Sequence, residues 1–253
     1  MGTIIAVVNQ KGGVGKTTTA VNLAAALTEL GLRVLVCDFD PQANATSGFG
    51  IDKRKVKHTS YSMLIEEATA SQAIVKTEYA DVIPSSADLA GAGVELIGMD
   101  HRERKLRKLL GAVREDYDVI FIDCPPSLEM LTLNGLIAAD GILIPVQCEY
   151  YALEGLSDLM ATLRSVKRKL NPTLEIFGVV LTMFDGRINF STQVAQEVRR
   201  HFPGKVFTAS IPRNVRLAEA PSHGLPITAY DRSCRGAAAY RELAQEVAKK
   251  LKR

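Results

Sequence analysis

The sequence has 253 residues, of which 47% are hydrophobic and 23% are charged, and its formal net charge is +3. These values exclude a collagen-like or predominantly disordered chain, and they favour one globular domain over residues 1–253. The small positive charge permits a polyanionic partner but does not require one.

The cysteines and the hydropathy pattern narrow the class of protein further. Cysteines occupy positions 37, 124, 148 and 234, and no two of them form a CxxC pair. This spacing argues against a zinc or iron–sulfur site and offers no disulfide framework. The first residues lack the basic region of a signal peptide, and no apolar stretch is long enough to span a bilayer. We therefore expect a reducing, cytoplasmic location.

The first elements along the chain predict a strand, a helix and a second strand. Residues 3–8 form a short apolar run rich in β-branched side chains, as in a buried strand. Helix-forming residues follow over 17–30 and stop at Gly31. A second apolar run over 33–40 ends in two acids. This pattern is a βαβ unit with a glycine-rich loop at its first turn.

The same alternation continues to the end of the chain. We predict further strands over 81–84, 117–126, 141–146, 175–185 and 205–212, and helices over 89–98, 101–115, 150–170, 190–202 and 234–251. Residues 41–62 are polar and contain glycine, so we predict a mobile loop there. The alternation predicts an α/β fold with a doubly wound, mostly parallel sheet and helices on both faces.

The loop after the first predicted strand reads KGGVGKTTT over residues 11–19 and is typical of a phosphate-binding loop. The pattern G-x-x-x-x-G-K-[ST] is met except at its first position, which is Gln10. Glycines let consecutive backbone N–H groups face a phosphate, and the following helix adds a partial positive charge. Lys16 can then reach the β- and γ-phosphates, and the hydroxyl of Thr17 is placed for Mg²⁺.

Acidic residues end two of the predicted strands. Ligands of open parallel sheets lie outside the carboxyl ends of the strands. Asp123 ends the strand VIFID and is expected to act on Mg²⁺ directly or through water. Asp38 and Asp40 are two residues apart at the end of LVCDFD, so their side chains share a face of an extended strand. We expect that face to point towards the phosphate loop.

Five segments resemble the ParA/Soj family of chromosome- and plasmid-partitioning ATPases, and they are spread over nearly the whole chain. The first segment alone specifies only the wider deviant Walker A class, which includes MinD and nitrogenase iron protein. The other four are similar to ParA/Soj, and to its short chromosomal Soj type in particular. The segments are KGGVGKTTT (11–19), DFDPQANATSG (38–48), VIPSSADLAGAGVEL (82–96), DVIFIDCPPS (118–127) and IPRNVRLAEAPSHG (211–224).

The resemblance implies a role for Lys11, which spacing alone does not distinguish from an ordinary loop lysine. In this family the equivalent lysine crosses a homodimer interface to the phosphates bound by the other subunit. Gly12 is then small because two phosphate loops approach closely there. The resemblance also implies that Asp40 orients the attacking water, that Asp38 supports the metal site, and that the loops after Asp40 and Asp123 are switch regions.

The predicted site is therefore the following set of residues. The catalytic residues are Lys11, Lys16 and Asp40, and the metal residues are Thr17, Asp38 and Asp123. The nucleotide-binding residues are Lys11, Gly12, Gly13, Val14, Gly15, Lys16, Thr17 and Thr18, with Thr18 at the α-phosphate and Pro212 and Asn214 at the adenine. The implied cofactors are ATP and Mg²⁺.

The resemblance further implies that the ATP homodimer binds double-stranded DNA without sequence preference through Arg187 and Arg216. It implies a nucleoid-associated location and a ParB-type partner that stimulates hydrolysis, and no membrane. The alternative is a MinD-like positioning ATPase that acts on a membrane or another scaffold. The tail at residues 240–253 bears on that alternative, because its thin apolar stripe is typical of a helix that packs onto its own domain.

Overall fold

The computed structural model describes residues 1–127, 129–149 and 152–252, without the side chains of 152–154. The strands in this part of the chain are Thr3–Val7 (β1), Val34–Asp38 (β2), Val75–Lys76 (β3), Asp81–Ile83 (β4), Val119–Asp123 (β5), Gly141–Gln147 (β6), Glu175–Phe184 (β7) and Val206–Pro212 (β8). They form one sheet in the order β3-β4-β2-β5-β1-β6-β7-β8, in which β3 is antiparallel and the other strands are parallel.

Helices connect the strands. Those in the described residues are Lys16–Glu29 (α1), Asn44–Gly48 (α2), Ser60–Leu64 (α3), Ala70–Ala73 (α4), Ala92–Glu95 (α5), Lys105–Gly111 (α6), Met130–Ala138 (α7), Ala152–Lys169 (α8), Asn189–His201 (α9), Val215–Glu219 (α10), Ile227–Tyr230 (α11) and Arg235–Leu251 (α12). The helix predicted over 150–170 begins in two residues that lie outside the described part of the chain.

The sheet is buried on both faces. Side chains of a strand alternate between faces, and in β1 Ile4 belongs to one hydrophobic core while Ile5 belongs to the other. The first core includes side chains of α6, α7, α8 and α9, and the second includes side chains of α1 and α12. This arrangement confirms the predicted doubly wound sheet with helices on both faces.

The strand order places the candidate site near the centre of the sheet. β1 lies between β5 and β6, so connections on its two sides leave in opposite directions and open a crevice at the carboxyl edge. Asp123 is the register partner of Val7 on one side and of Asp38 on the other. The two acids that sequence analysis found at strand ends are therefore direct neighbours.

Two sequence-based expectations were wrong or incomplete. The mobile loop expected over 41–62 contains the helix α2 and the start of α3, and Ala45 and Thr46 of α2 are fully buried. Polar composition suggested exposure, but these residues pack under the carboxyl ends of the strands. The helix α7 was not predicted, because a buried helix lacks the alternation of polar and apolar faces that marks a surface helix.

The last helix packs onto the sheet, as sequence analysis predicted. Tyr240, Leu243 and Val247 form its apolar stripe, and all three are buried against the core that α1 and β8 share. Residue 253 lies outside the described part. Within the described part of the chain, no helix has the length and apolar character that a membrane crossing requires.

Candidate nucleotide-binding site

The side chains of Asn9 and Thr182 hold the glycine-rich loop in place. The amide of Asn9 donates to the carbonyl of Pro145 in β6 at 2.8 Å, and its carbonyl oxygen accepts from the backbone N–H of Lys11 at 3.0 Å. The hydroxyl of Thr182 in β7 donates to the carbonyl of Val14 at 2.8 Å. The loop is thus fixed by contacts with β6, which lies beside β1, and with β7, the next strand in the sheet.

The outermost part of the loop, here called its crest, consists of Gly12 and Gly13 and faces outward. Gly12 and Gly13 are exposed, and a Cβ atom at either position would meet no described atom within 4 Å. Gly13 and Gly15 have φ angles of +75° and +90°, which only glycine adopts without strain. The crest therefore leaves room for a phosphate, and nothing within the described chain requires Gly12 to be small.

Lys16 lies beneath the crest. Its ammonium donates to the carbonyl of Lys11 at 3.0 Å, and the residue is buried. Burial lowers the pKa of this ammonium, while the charges of Asp123 and Asp40 raise it. The structure thus brings the predicted phosphate-binding lysine close to two of the predicted acids.

Asp123 is fully buried at the carboxyl end of β5. The residue has no solvent exposure, and among the described residues neither carboxylate oxygen has a hydrogen-bond partner. Burial raises its pKa well above the usual range, and the charge of Asp38 adds to that rise. The hydroxyl of Thr17 and the charge of Lys16 oppose that rise.

The buried carboxylate of Asp123, beside the hydroxyl of Thr17, is suited to binding a cation. Mg²⁺ prefers hard oxygen ligands and takes few of them from protein, because it keeps waters and substrate phosphates. Thr17 and Asp123 supply two such oxygens next to the phosphate loop. The donor set therefore fits Mg²⁺, and the assignment of these two residues to the metal stays a prediction.

Asp38 is equally buried, but its carboxylate is satisfied by the chain. One oxygen accepts from the backbone N–H of Thr46 at 2.7 Å and from the Thr46 hydroxyl at 2.6 Å, and the other accepts from the N–H of Asp40 at 3.3 Å. Burial raises the pKa of Asp38 to about 6, and the bonds from Thr46 oppose that rise. Its predicted role beside the metal remains a prediction; its contacts here are with the loop that follows β2.

Asp40 begins that loop. It is 8% exposed, and one of its carboxylate oxygens accepts from the backbone N–H of Gln42 at 2.9 Å. Its carbonyl accepts from the N–H of Ala43, which has a left-handed φ of +51°. A tight turn thus holds Asp40 close enough to Lys16 for its charge to raise the pKa of the lysine ammonium.

A cavity of about 380 Å³ adjoins the phosphate loop. Its lining brings together Gly15, Thr18, Pro212 and Asn214, all of which sequence analysis assigned to the nucleotide, with apolar side chains such as Ile211. The carbonyl oxygen of the Asn214 side chain caps α10 by accepting from the backbone N–H of residue 216 at 2.8 Å. A flat apolar base fits such a cavity, and the placement of adenine there stays a prediction.

Lys11 lies at the rim of the site. Its side chain is 34% exposed, and its ammonium is 3.6 Å from one carboxylate oxygen of Glu149. The other oxygen of Glu149 is 3.5 Å from the guanidinium of Arg213 and also accepts from the amide of Gln147. In the sequence, Glu149 is marked by nothing except its position just after β6.

The two arginines predicted to bind DNA leave the same edge of the sheet. Arg187 follows β7 and pairs with Asp185 through two bonds of 2.9 and 2.7 Å, yet its side chain is 88% exposed. Arg216 lies in α10 after β8 and pairs with Glu219 at 2.9 Å. Exposed ion pairs of this kind contribute little free energy, so both guanidinium groups can exchange partners.

Three features define a phosphate-loop nucleotide-binding protein. They are the loop between β1 and α1, the buried Asp123 at the end of β5, and the cavity that adjoins the loop. Residues 2–176 match the family described as AAA domain. The chain is 56% identical to the sporulation initiation inhibitor protein Soj of Bacillus subtilis, over 98% of this chain and 99% of that protein. It is 52% identical to the chromosome partitioning protein ParA of Caulobacter vibrioides, over 96% of this chain and 93% of that one.

A solved structure agrees with the fold. Cobyrinic acid a,c-diamide synthase from Mycobacterium smegmatis, with bound ADP and magnesium, superposes with a TM-score of 0.87 at 37% identity, over 100% of this chain and 96% of that one. From these matches, the chain belongs to the Soj/ParA family of chromosome-partitioning ATPases. Membership of this family confirms the prediction of an ATPase, and the solved structure with ADP and magnesium confirms ATP and Mg²⁺ as its cofactors.

Proposed function

We propose that this ATPase works as a homodimer that encloses ATP between its subunits, binds DNA without sequence preference in that state, and releases it after hydrolysis. The observation that carries the proposal is the exposed crest of the phosphate loop with Lys11 at its rim. A second copy seated on the crest would bury Gly12 and bring its own Lys11 to the phosphates. That contact supplies the reason for a small residue at position 12.

The residues divide the work within such a dimer. Lys16 binds the β- and γ-phosphates of its own subunit's nucleotide, and Lys11 adds a cation from the other subunit. Asp40 orients the water that attacks the γ-phosphate. Thr17 and Asp123 would hold Mg²⁺, which would neutralise phosphate charge. Because the γ-phosphate is part of the interface, its loss weakens the dimer.

The position of the basic residues supports the proposal of DNA binding. Arg187 and Arg216 leave the carboxyl ends of adjacent strands, at the edge of the sheet where the nucleotide lies. One such surface makes few phosphate contacts, and a dimer doubles their number. A ParB-type partner that stimulates hydrolysis, and association with the nucleoid, are proposed from family membership.

Sedimentation tests the proposal directly. The protein is run with ATP or ADP, alone, with double-stranded DNA, and with anionic liposomes. We expect a dimer with ATP only, and co-sedimentation with DNA only in that state. Co-sedimentation with liposomes instead of DNA supports a MinD-like ATPase, and a monomer under all conditions refutes the dimer.

Replacing Lys11 with Ala is expected to abolish the ATP-dependent dimer and leave ATP binding within about threefold of the wild type. The lysine adds its charge to the partner's nucleotide, whereas Lys16 holds the nucleotide of its own subunit. Titration with a fluorescent ATP analogue measures binding, and sedimentation velocity measures the dimer. Lys76→Ala, on the edge strand β3, is the matched control and should dimerise normally. A Lys11→Ala protein that dimerises like the wild type would show that the lysine acts within its own subunit.

Reversing the charge of both Arg187 and Arg216 to Glu is expected to prevent DNA binding while the ATP dimer still forms. Each lost phosphate contact also lowers the slope of log K against log salt by about 0.9. Filter binding at several salt concentrations measures both quantities. The matched control is Arg33→Glu with Lys167→Glu, which changes the net charge by the same amount near the amino ends of the strands. This variant should bind DNA normally. Retained DNA affinity in the first variant would place the DNA surface elsewhere.

A further inference from the structure

A single buried hydroxyl joins the two strand ends on one side of the site. The hydroxyl of Thr46 donates to the carboxylate of Asp38 at 2.6 Å and accepts from the backbone N–H of Ser85 at 2.9 Å. Asp38 ends β2 and Ser85 follows β4, the next strand in the sheet. Thr46 has no solvent exposure, so both bonds are shielded from water.

The same network reaches the acid that is assigned to the attacking water. Thr46 is bonded to one carboxylate oxygen of Asp38, and the other oxygen accepts from the N–H of Asp40. The chain between Asp40 and Thr46 is short, and it contains the buried residue Ala43 in the left-handed conformation. Non-glycine residues keep that conformation only where surrounding contacts impose it. Both ends of the loop are therefore fixed by one carboxylate, and that carboxylate is oriented by Thr46.

We propose that Thr46 is a positioning residue for ATP hydrolysis, because its hydroxyl fixes Asp38 and the turn that carries Asp40. The inference rests on the proposed function, since it takes Asp40 as the residue that orients water. It goes further by assigning a function to a threonine that does not line the phosphate loop. It also gives a reason for the burial of Thr46 in a segment whose polar composition predicts exposure.

The test is replacement of Thr46 by Val, which has nearly the same shape but no hydroxyl. We expect the single-turnover rate of ATP hydrolysis to fall by about ten- to a hundredfold, the range that loss of a buried bond to a charged group gives. The affinity for ATP and the ATP-dependent dimer should stay within about threefold of wild type, because Lys16 and Lys11 are unchanged. Thr46→Ser restores the hydroxyl and should recover most of the rate.

A second measurement requires no nucleotide. In the nucleotide-free protein, the backbone N–H of Ser85 should exchange with deuterated solvent at least about tenfold faster in Thr46→Val, because it loses its acceptor, and Thr46→Ser should restore its protection. Ser60→Ala is the matched control. Its buried hydroxyl has no partner among the described residues, so its loss leaves the network intact and should leave exchange and rate unchanged.

The outcomes separate this inference from the proposed function. If Thr46→Val hydrolyses ATP at the wild-type rate while Asp40→Ala does not, Thr46 has no positioning role and the proposed function stands. If Asp40→Ala itself hydrolyses ATP normally, the assignment of Asp40 fails, and the inference fails with it. If Thr46→Val and Thr46→Ser lose the rate equally, the hydroxyl is not the group that matters and the inference is overturned.

Discussion

Asp123→Asn is expected to stabilise the nucleotide-free protein by about 1–3 kcal/mol and, at the same time, to reduce ATP hydrolysis at least about a hundredfold. The carboxylate is fully buried and, within the described residues, has no hydrogen-bond partner, so the nucleotide-free protein bears the cost of desolvating it. A neutral amide of the same shape removes most of that cost. It also removes the negative oxygen that the site offers to a cation.

The gain in stability should depend on pH in a defined direction. The pKa of Asp123 is raised in the folded protein above its value in the unfolded chain. The folded state therefore holds a proton that the unfolded chain has released, and the free energy of unfolding falls as pH rises from the unfolded pKa to the folded one. Asn does not titrate, so the advantage of Asp123→Asn should be larger at pH 8 than at pH 5.

Urea unfolding at the two pH values measures this difference, with and without ATP and Mg²⁺. Ligand at about a hundred times its Kd should stabilise the wild type by about 2.7 kcal/mol and should stabilise Asp123→Asn much less. Asp52→Asn is the control, because that acid lies at the surface and pairs with Arg54. An Asp123→Asn protein that is less stable than wild type at both pH values would mean that the buried carboxylate is stabilised by contacts outside the described residues.

Much of the fold was predictable because its strands are buried on both faces. Residues 119–122, for example, are all apolar and, apart from Phe121, β-branched, which is typical of a parallel sheet covered by helices. The acids at their ends then had to meet at one edge. The strand pattern places both acids at the carboxyl edge, whereas the register that pairs Asp38 with Asp123 comes from the strand order of the folded sheet.

The rest of the site depends on contacts between distant parts of the chain. Thr46 is an ordinary polar residue in a polar segment, and only its burial against Asp38 and Ser85 distinguishes it. Glu149 follows β6, and its pairing with Lys11 arises only when β6 lies beside β1. Sequence periodicity reports which face of an element is buried, but it does not report which partner covers that face.

The pairing of Lys11 with Glu149 connects the phosphate loop to the cavity that adjoins it. Glu149 also contacts Arg213, which lines that cavity between the two residues assigned to adenine. If Lys11 turns to a partner subunit's phosphates, Glu149 keeps its contacts with Arg213 and Gln147. The rim of the site therefore changes its charge pairing at the step that forms the proposed dimer.

Asp40→Ala is expected to reduce the single-turnover rate of ATP hydrolysis by about a hundredfold or more, the effect typical of removing a group that orients or deprotonates the attacking water. The substitution leaves Lys16, Thr17 and Asp123 in place, so ATP should still bind and the dimer should still form. The backbone N–H at position 40 is also retained, and with it the bond to Asp38.

A dimer that forms but does not hydrolyse should stay on DNA. After excess unlabelled competitor DNA is added, Asp40→Ala with ATP should dissociate much more slowly than the wild type, and with ADP the two should behave alike. Asp52→Ala is the surface control and should dissociate like the wild type. Fast release from DNA by a hydrolysis-deficient Asp40→Ala dimer would separate DNA release from the loss of the γ-phosphate. Release from DNA would then be controlled by a step other than hydrolysis, because ATP would hold the two subunits together while the dimer left the DNA.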